Sequence, residues 1–160
     1  RDMQRKISNE IPNAGMADSS DYGDSLNVHP TRKKPVGERL ALLALKNAYQ
    51  KNIIASGPAV QNACQNGEEI VINFSNAKKL KTRNAEPLIG FEVMNEKGEI
   101  FSPGAEIKNN KVVLYLDNNA KIIKVLYAFK PFTRANLENE AGLPAGTFSI
   151  EIKSNETVKR

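Results

Sequence analysis

The chain is 160 residues long, with 40% hydrophobic and 26% charged residues and a formal net charge of +5. That length suits one domain with a core, or one domain plus part of another, and no apolar run approaches the roughly 20 residues of a membrane-spanning helix. The positive charge does not amount to a nucleic-acid footprint. Only Lys78, Lys79, Lys81 and Arg83 cluster, without aromatic neighbours for base stacking, and they read as a solvated loop.

Residues 1–20 are mixed and polar, broken at Ile11-Pro12-Asn13 and Gly15, with at most a very short strand around Met16 and Ala17. They start without an apolar signal segment, so an export signal is either absent or outside this piece, and localisation is not readable from this end. Residues 18–25 form a turn-rich loop leading to His29, the one histidine, and Pro30 holds the chain extended there because a residue before proline is pushed away from helical angles. A helix is expected over about 33–49. Thr31 is a candidate N-cap, Pro35 falls in the first turn, and Val36, Leu40, Leu43 and Ala44 share a face that Leu42, Leu45 and Tyr49 widen. So broad an apolar face needs a partner supplied from elsewhere.

Beyond residue 50 the pattern turns to β, with alternating segments at 69–74, 89–95, 111–116, 121–129 and 147–152. In the fourth, Ile123, Val125, Tyr127 and Phe129 fall on one face and Ile122, Lys124, Leu126 and Ala128 on the other. Asn66-Gly67, Lys97-Gly98, Asn109-Asn110 and Asn118-Asn119 are expected hairpin turns, since Gly and Asn accept positive φ. Cys64 sits in a polar, turn-like context and is alone, so it closes no internal disulfide and completes no zinc site. The fold class is therefore mainly β: an antiparallel β-sandwich, immunoglobulin-like or jelly-roll, over 50–160. Residues 131–146 make a long, ordered loop, and the tail 154–160 is expected to fray.

A histidine at the end of a polar loop and just ahead of a helix suits general-base work, with an ordinary pKa of about 6.5. Gly23-Asp24-Ser25-Leu26 spells the nucleophile signature of one esterase class. That signature belongs at the end of a buried apolar strand, whereas polar residues precede it here, so Ser25 is not assigned as nucleophile.

Several quoted blocks carry a resemblance. They are Gln4 with Ile11-Pro12-Asn13-Ala14-Gly15-Met16-Ala17, Asp21-Tyr22-Gly23-Asp24, Val28-His29-Pro30, and Lys34, Gly37, Arg39, Leu40 and Ala41 before Ala48-Tyr49. This order resembles the closing block of sialate O-acetylesterases of the SGNH hydrolase superfamily. Ser56-Gly57-Pro58, Gly90-Phe91-Glu92, and Asn136-Leu137 to Gly142-Leu143-Pro144-Ala145 with Phe148 look like landmarks of the β-sandwich that follows.

The resemblance implies a serine esterase acting on O-acetylated sialic acid or a related acetylated sugar, with no cofactor, no metal, and a secreted or periplasmic setting. Residues 1–49 would then be the C-terminal piece of an SGNH esterase domain, loop plus helix, whose sheet and nucleophile lie in a missing N-terminal half. His29 matches the family's general base. The family's aspartate three residues earlier is replaced by Leu26, which leaves Asp24, Asn27 or a group outside the chain as orienting acid, or a serine–histidine dyad. This piece alone is expected to be inactive. The competing expectation is a non-catalytic carbohydrate- or protein-binding sandwich, with no nucleic-acid or membrane partner in either case. Asn73 and Asn155 head glycosylation sequons too common to assign an origin.

Overall fold

The computed structural model describes residues 1–27 and 29–153. Val28 and the tail 154–160, with the Asn155 sequon and its expected fraying, lie outside the described residues. The order of elements is helix α1 (Asp2–Glu10), a 3-10 turn at Ser20–Tyr22, helix α2 (Lys34–Asn47), and then ten strands. These are β1 (Ala59–Asn66), β2 (Glu69–Ser75), β3 (Leu80–Thr82), β4 (Phe91–Asn95), β5 (Ile100–Phe101), β6 (Gly104–Lys108), β7 (Lys111–Tyr115), β8 (Ile122–Tyr127), β9 (Leu137–Asn139) and β10 (Phe148–Glu151).

The expected antiparallel, mainly β architecture is present. One four-stranded sheet runs β1-β2-β7-β6, a second runs β10-β8-β4-β5, and β3 pairs with β9 in a separate ribbon. The inner faces meet through Ile70, Ile72, Val112 and Leu114 of the first sheet and Phe91, Val93, Val125, Tyr127 and Phe148 of the second, all buried in one cluster. Tyr127 stacks on Phe148 at 5.4 Å and tilts against Phe91 at 4.6 Å, offset geometries that aromatic pairs favour. Each such side chain stabilises the fold by about 1.5–3 kcal/mol on burial. The sheets join along one edge, where the Lys153 amide donates to the Ala63 carbonyl at 3.0 Å.

Four expectations need correction. The segment 1–20 is not strand-forming. Met3, Ile7 and Ile11 recur every four residues along α1, and Ile11, held extended (φ −85°, ψ 123°) ahead of Pro12, ends it. The two-faced alternation of 121–129 breaks at a bulge: Met94 pairs with Lys124 but Asn95 pairs with Ile122, so Ile123 is the extra residue. Ile122 consequently turns inward while Ile123 is exposed, and Phe129, beyond the strand's end and after Ala128 at positive φ, is exposed as well. Asn118-Asn119 is no hairpin turn but the crossover from β7 in one sheet to β8 in the other. Cys64 lies within β1, half-buried, and not in a turn.

The other turns behave as expected, with positive φ at Gly67, Gly98, Asn109 and Asn110. Helix α2 starts after Lys33, not Thr31, and no side chain caps it, with Pro35 in its first turn.

The sandwich positions singled out in the sequence are structural joints. A Cβ on Gly57 would lie 1.9 Å from the Pro144 carbonyl oxygen, so the 56–58 strand entry fits against 143–144 only as glycine. Buried Asn136 accepts from the Ile89 amide at 3.0 Å and donates to the Pro87 carbonyl at 2.8 Å. Asn139 donates to the carbonyls of Ser56 and Asn76 and accepts from the amides of Ala141 and Leu143. The 131–146 segment, expected as a loop throughout, thus carries β9 paired with β3, and around that short ladder it is ordered by the Asn136 and Asn139 side chains.

Candidate functional site

The N-terminal segment lies against the sandwich at two places. Asp2 of α1 is buried, and its carboxylate accepts from Arg5 at 2.7 Å and from the Ser149 hydroxyl on β10 at 2.8 Å. Lys6 approaches it at 3.3 Å. Burial alone would favour the neutral acid, but the hydrogen bonds from Arg5 and Ser149, with the charges of Arg5 and Lys6, hold Asp2 below its ordinary range. Arg1 donates to the carbonyls of Ala128, at 3.0 Å, and Lys130.

The second attachment is a buried charge network. Arg39 of α2 lies on the same helix stripe as Val36 and Leu43 and faces the 18–22 segment. Its guanidinium makes a two-pronged bond to Asp21, at 2.7 and 2.6 Å, and a third bond to the Asp18 carbonyl at 2.6 Å. The two side chains are only 9% and 4% exposed. Burial disfavours the guanidinium charge, but the Asp21 hydrogen bonds and charge outweigh it and raise the Arg39 pKa. Arg83, just after β3, reaches the same Asp21 oxygen at 3.3 Å, and Glu138 of β9 lies 3.7 Å from Arg83 and 3.3 Å from Lys81. Lys81 and Arg83, expected in a solvated loop, therefore belong to this network. Tyr22 is flanked by the guanidinium groups of Arg32 and Arg39 at 4.9 and 5.0 Å.

Between these anchors runs the loop that carries His29. It is built from short side-chain-closed turns: Asp18 Oδ1 accepts from the Ser20 amide at 2.9 Å, Asp24 Oδ1 from the Leu26 amide at 2.8 Å, and Asn27 Oδ1 from the His29 amide at 2.8 Å. His29, Asp24 and Ser25 are all exposed. Among the described residues, no hydrogen bond or ion pair joins the His29 ring to Asp24 or to Ser25. Asp24 and Ser25 line an 860 Å³ cleft between α1, the 14–25 loop and residues 131–133, and His29 lies outside that lining. Asp18 also lines it, and its Oδ2 is buried without a hydrogen-bond partner. No group of His, Cys, Asp and Glu among the described residues is arranged to hold a metal ion.

Large apolar side chains are exposed in the N-terminal segment. Leu26 is 97% exposed, and Leu40 and Leu45 of α2 with Tyr49 just beyond it, and Met3 and Ile7 of α1 with Ile11 just beyond it, are also exposed. Only Leu43 among the large apolar residues of α2 is buried. Of the exposed side chains, Ile7 and Ile11 line the cleft with Asp24 and Ser25.

The chain is similar to the crystal structure of a novel carbohydrate acetylesterase from Xanthomonas citri, with a TM-score of 0.86 and 28% sequence identity. The likeness covers 92% of this chain and 34% of that one, so the chain spans about a third of its neighbour's length. No family model and no curated protein matches it significantly. The likeness takes in the N-terminal segment as well as the sandwich, since the sandwich alone makes up less than that share of the chain.

Sequence reading singled out His29 and Asp24 but not the Asp21–Arg39 pair. The signal was available. An arginine placed between Val36 and Leu43 on a buried stripe demands an acid, because a lone buried charge costs several kcal/mol.

Proposed function

We propose that this chain is the closing part of a carbohydrate O-acetylesterase of the sialate type, built on the SGNH hydrolase plan. Residues 1–49 complete an esterase domain, and 50–160 form its accessory sandwich. Its substrate is an O-acetylated sialic acid or a related acetylated sugar, and its nucleophile is a serine on the preceding part of the polypeptide. The observation that carries this reading is the likeness to an acetylesterase over nearly the whole chain but only a third of that enzyme. The uncovered apolar surface of α1, α2 and Leu26 beside His29 supports it, as the place where the rest of an esterase domain packs.

In this mechanism the serine Oγ attacks the acetyl carbonyl carbon while the His29 imidazole takes its proton. The imidazolium returns that proton to the sugar oxygen as the ester bond breaks, leaving an acetyl-enzyme. Water, deprotonated by His29, then releases acetate and restores the serine. Backbone or side-chain donors outside this chain hold the oxyanion. Asp24 is assigned as orienting acid: Oδ1 is fixed by the Leu26 amide, and Oδ2 remains to accept from the imidazole once the loop is seated. No step calls for a metal or cofactor. The reading carries with it a secreted or periplasmic setting.

The test is acetate release from an O-acetylated sialic acid, measured for this 160-residue chain and for the longer protein. Turnover by the longer protein and none by the chain alone is the expected result. Turnover by the chain alone, or fluorophosphonate labelling of Ser25 within it, would overturn the division of labour.

A further inference from the structure

We propose that the β-sandwich braces the His29 loop through Arg83, so that Asp21, Arg39 and Arg83 are positioning residues for the base. The inference rests on the reading of His29 given above. Its ground is where the charges converge. The His29 loop leaves the fold after Tyr22 and re-enters it at Lys34, the start of α2. Asp21 stands at the exit, and Arg39 stands on the first turns of the returning helix. The 2.7 and 2.6 Å bonds between them tie both ends of the loop together at one carboxylate.

Tyr22, gripped between Arg32 and Arg39, closes the same base with its ring. Within the loop, the Asp24 side chain holds the Leu26 amide and the Asn27 side chain holds the His29 amide. A tied loop of this kind moves chiefly as a unit, and its position is set by whatever holds the tie.

What holds it is the sandwich. Arg83 bonds Asp21 from the β3–β9 ribbon, and Glu138 and Lys81 complete the row on the same ribbon. The ribbon is itself fixed by the Arg83 amide donating to the Asn136 carbonyl at 2.9 Å and by Ala145 donating to Leu137 at 2.9 Å. Two acids, Asp21 and Glu138, thus face three cations from two parts of the chain, and the shared acid at the junction is Asp21. A catalytic base displaced by about 1 Å loses on the order of 100-fold in rate, so a brace at the loop's root bears on turnover without touching substrate.

The test uses the longer protein with Arg83→Met, chosen because Arg83 is partly exposed and the Asp21–Arg39 pair survives its loss. The expected result is a fall in kcat for acetyl-ester cleavage of about tenfold with KM unchanged, recovered by Arg83→Lys to within about threefold of wild type. Amide exchange in residues 20–31 should accelerate about tenfold while the exchange of β2, β7 and β8 stays as in wild type. The proposal is overturned by a kcat within about twofold of wild type, by unchanged exchange in the loop, or by exchange that rises equally through the sandwich core. His29→Ala in parallel keeps the two readings apart. If that variant retains full turnover the base assignment fails, and the exchange measurement alone then decides whether the brace exists.

Discussion

Replacing Arg39 by methionine gives the sharpest stability prediction. The substitution keeps the apolar stem packed on the stripe with Val36 and Leu43 but removes three hydrogen bonds, two to the Asp21 carboxylate and one to the Asp18 carbonyl. Asp21, with a side chain 4% exposed, is left facing only Arg83 at 3.3 Å. A surface ion pair would contribute about 0–1 kcal/mol. Breaking a buried one costs about 3–5 kcal/mol, because the surviving charge is out of water and short of partners, and with Arg83 still at 3.3 Å the lower figure applies. With about 1.4 kcal/mol per tenfold, the lower figure already means a release of α2 favoured by roughly 100-fold. Hydrogen exchange of the α2 amides in this chain, followed by mass spectrometry, reads that release directly. Pairing Arg39→Met with Asp21→Leu should recover more than half of the loss, since exchanging a whole buried pair for apolar groups is often neutral. A single-variant loss under about 1 kcal/mol, or a double variant showing the plain sum of two losses, would refute the assignment of this pair as a buried strut.

Other consequences follow from named contacts. Asn139→Ala strips partners from two carbonyls and two amides at a fully buried position, and thermal or denaturant unfolding should show a loss of several kcal/mol, at about 1–3 for each group left unsatisfied. Tyr127→Phe leaves the buried Leu137 amide without its acceptor at 2.8 Å and should cost about 1–3 kcal/mol by the same measurement, with the aromatic cluster intact. Docking of α1 should be acid-sensitive. Asp2 is held below 3.8 in the folded chain, so its contribution is complete above about pH 4, the unfolded value, and lost as pH falls through the lower folded value. Exchange of the α1 amides across that range checks it, and Asp2→Asn should remove the dependence.

The sandwich was legible because β2, β4 and β6 alternate in burial with period two and its hairpin turns use residues tolerant of positive φ. What escaped the sequence was longer in range. The bulge at Ile123 is set by pairing of β8 with β4, thirty residues earlier, and no local pattern announces that Ile122 and not Ile123 faces the core. Asn118-Asn119 carries hairpin chemistry, but the choice between returning to the same sheet and crossing to the other is made by what β8 pairs with. Helix α1 has only Met3 and Ile7 as large apolar residues, and it is fixed to the sandwich by Asp2 and Arg1, polar anchors that hydrophobic periodicity does not weigh. The His29 loop was located from the residues, yet its geometry comes from Asp21, whose partners lie 18 and 62 residues away in sequence.

The claim most in need of a direct measurement is that His29 is the base of an acetylesterase. Acetate release from an O-acetylated sialic acid should be followed for the longer protein and its His29→Ala variant, with circular dichroism confirming that both are folded. The account predicts a fall in kcat of about 10²–10⁴-fold with the fold unchanged. A folded His29→Ala protein that turns over as fast as wild type would contradict it.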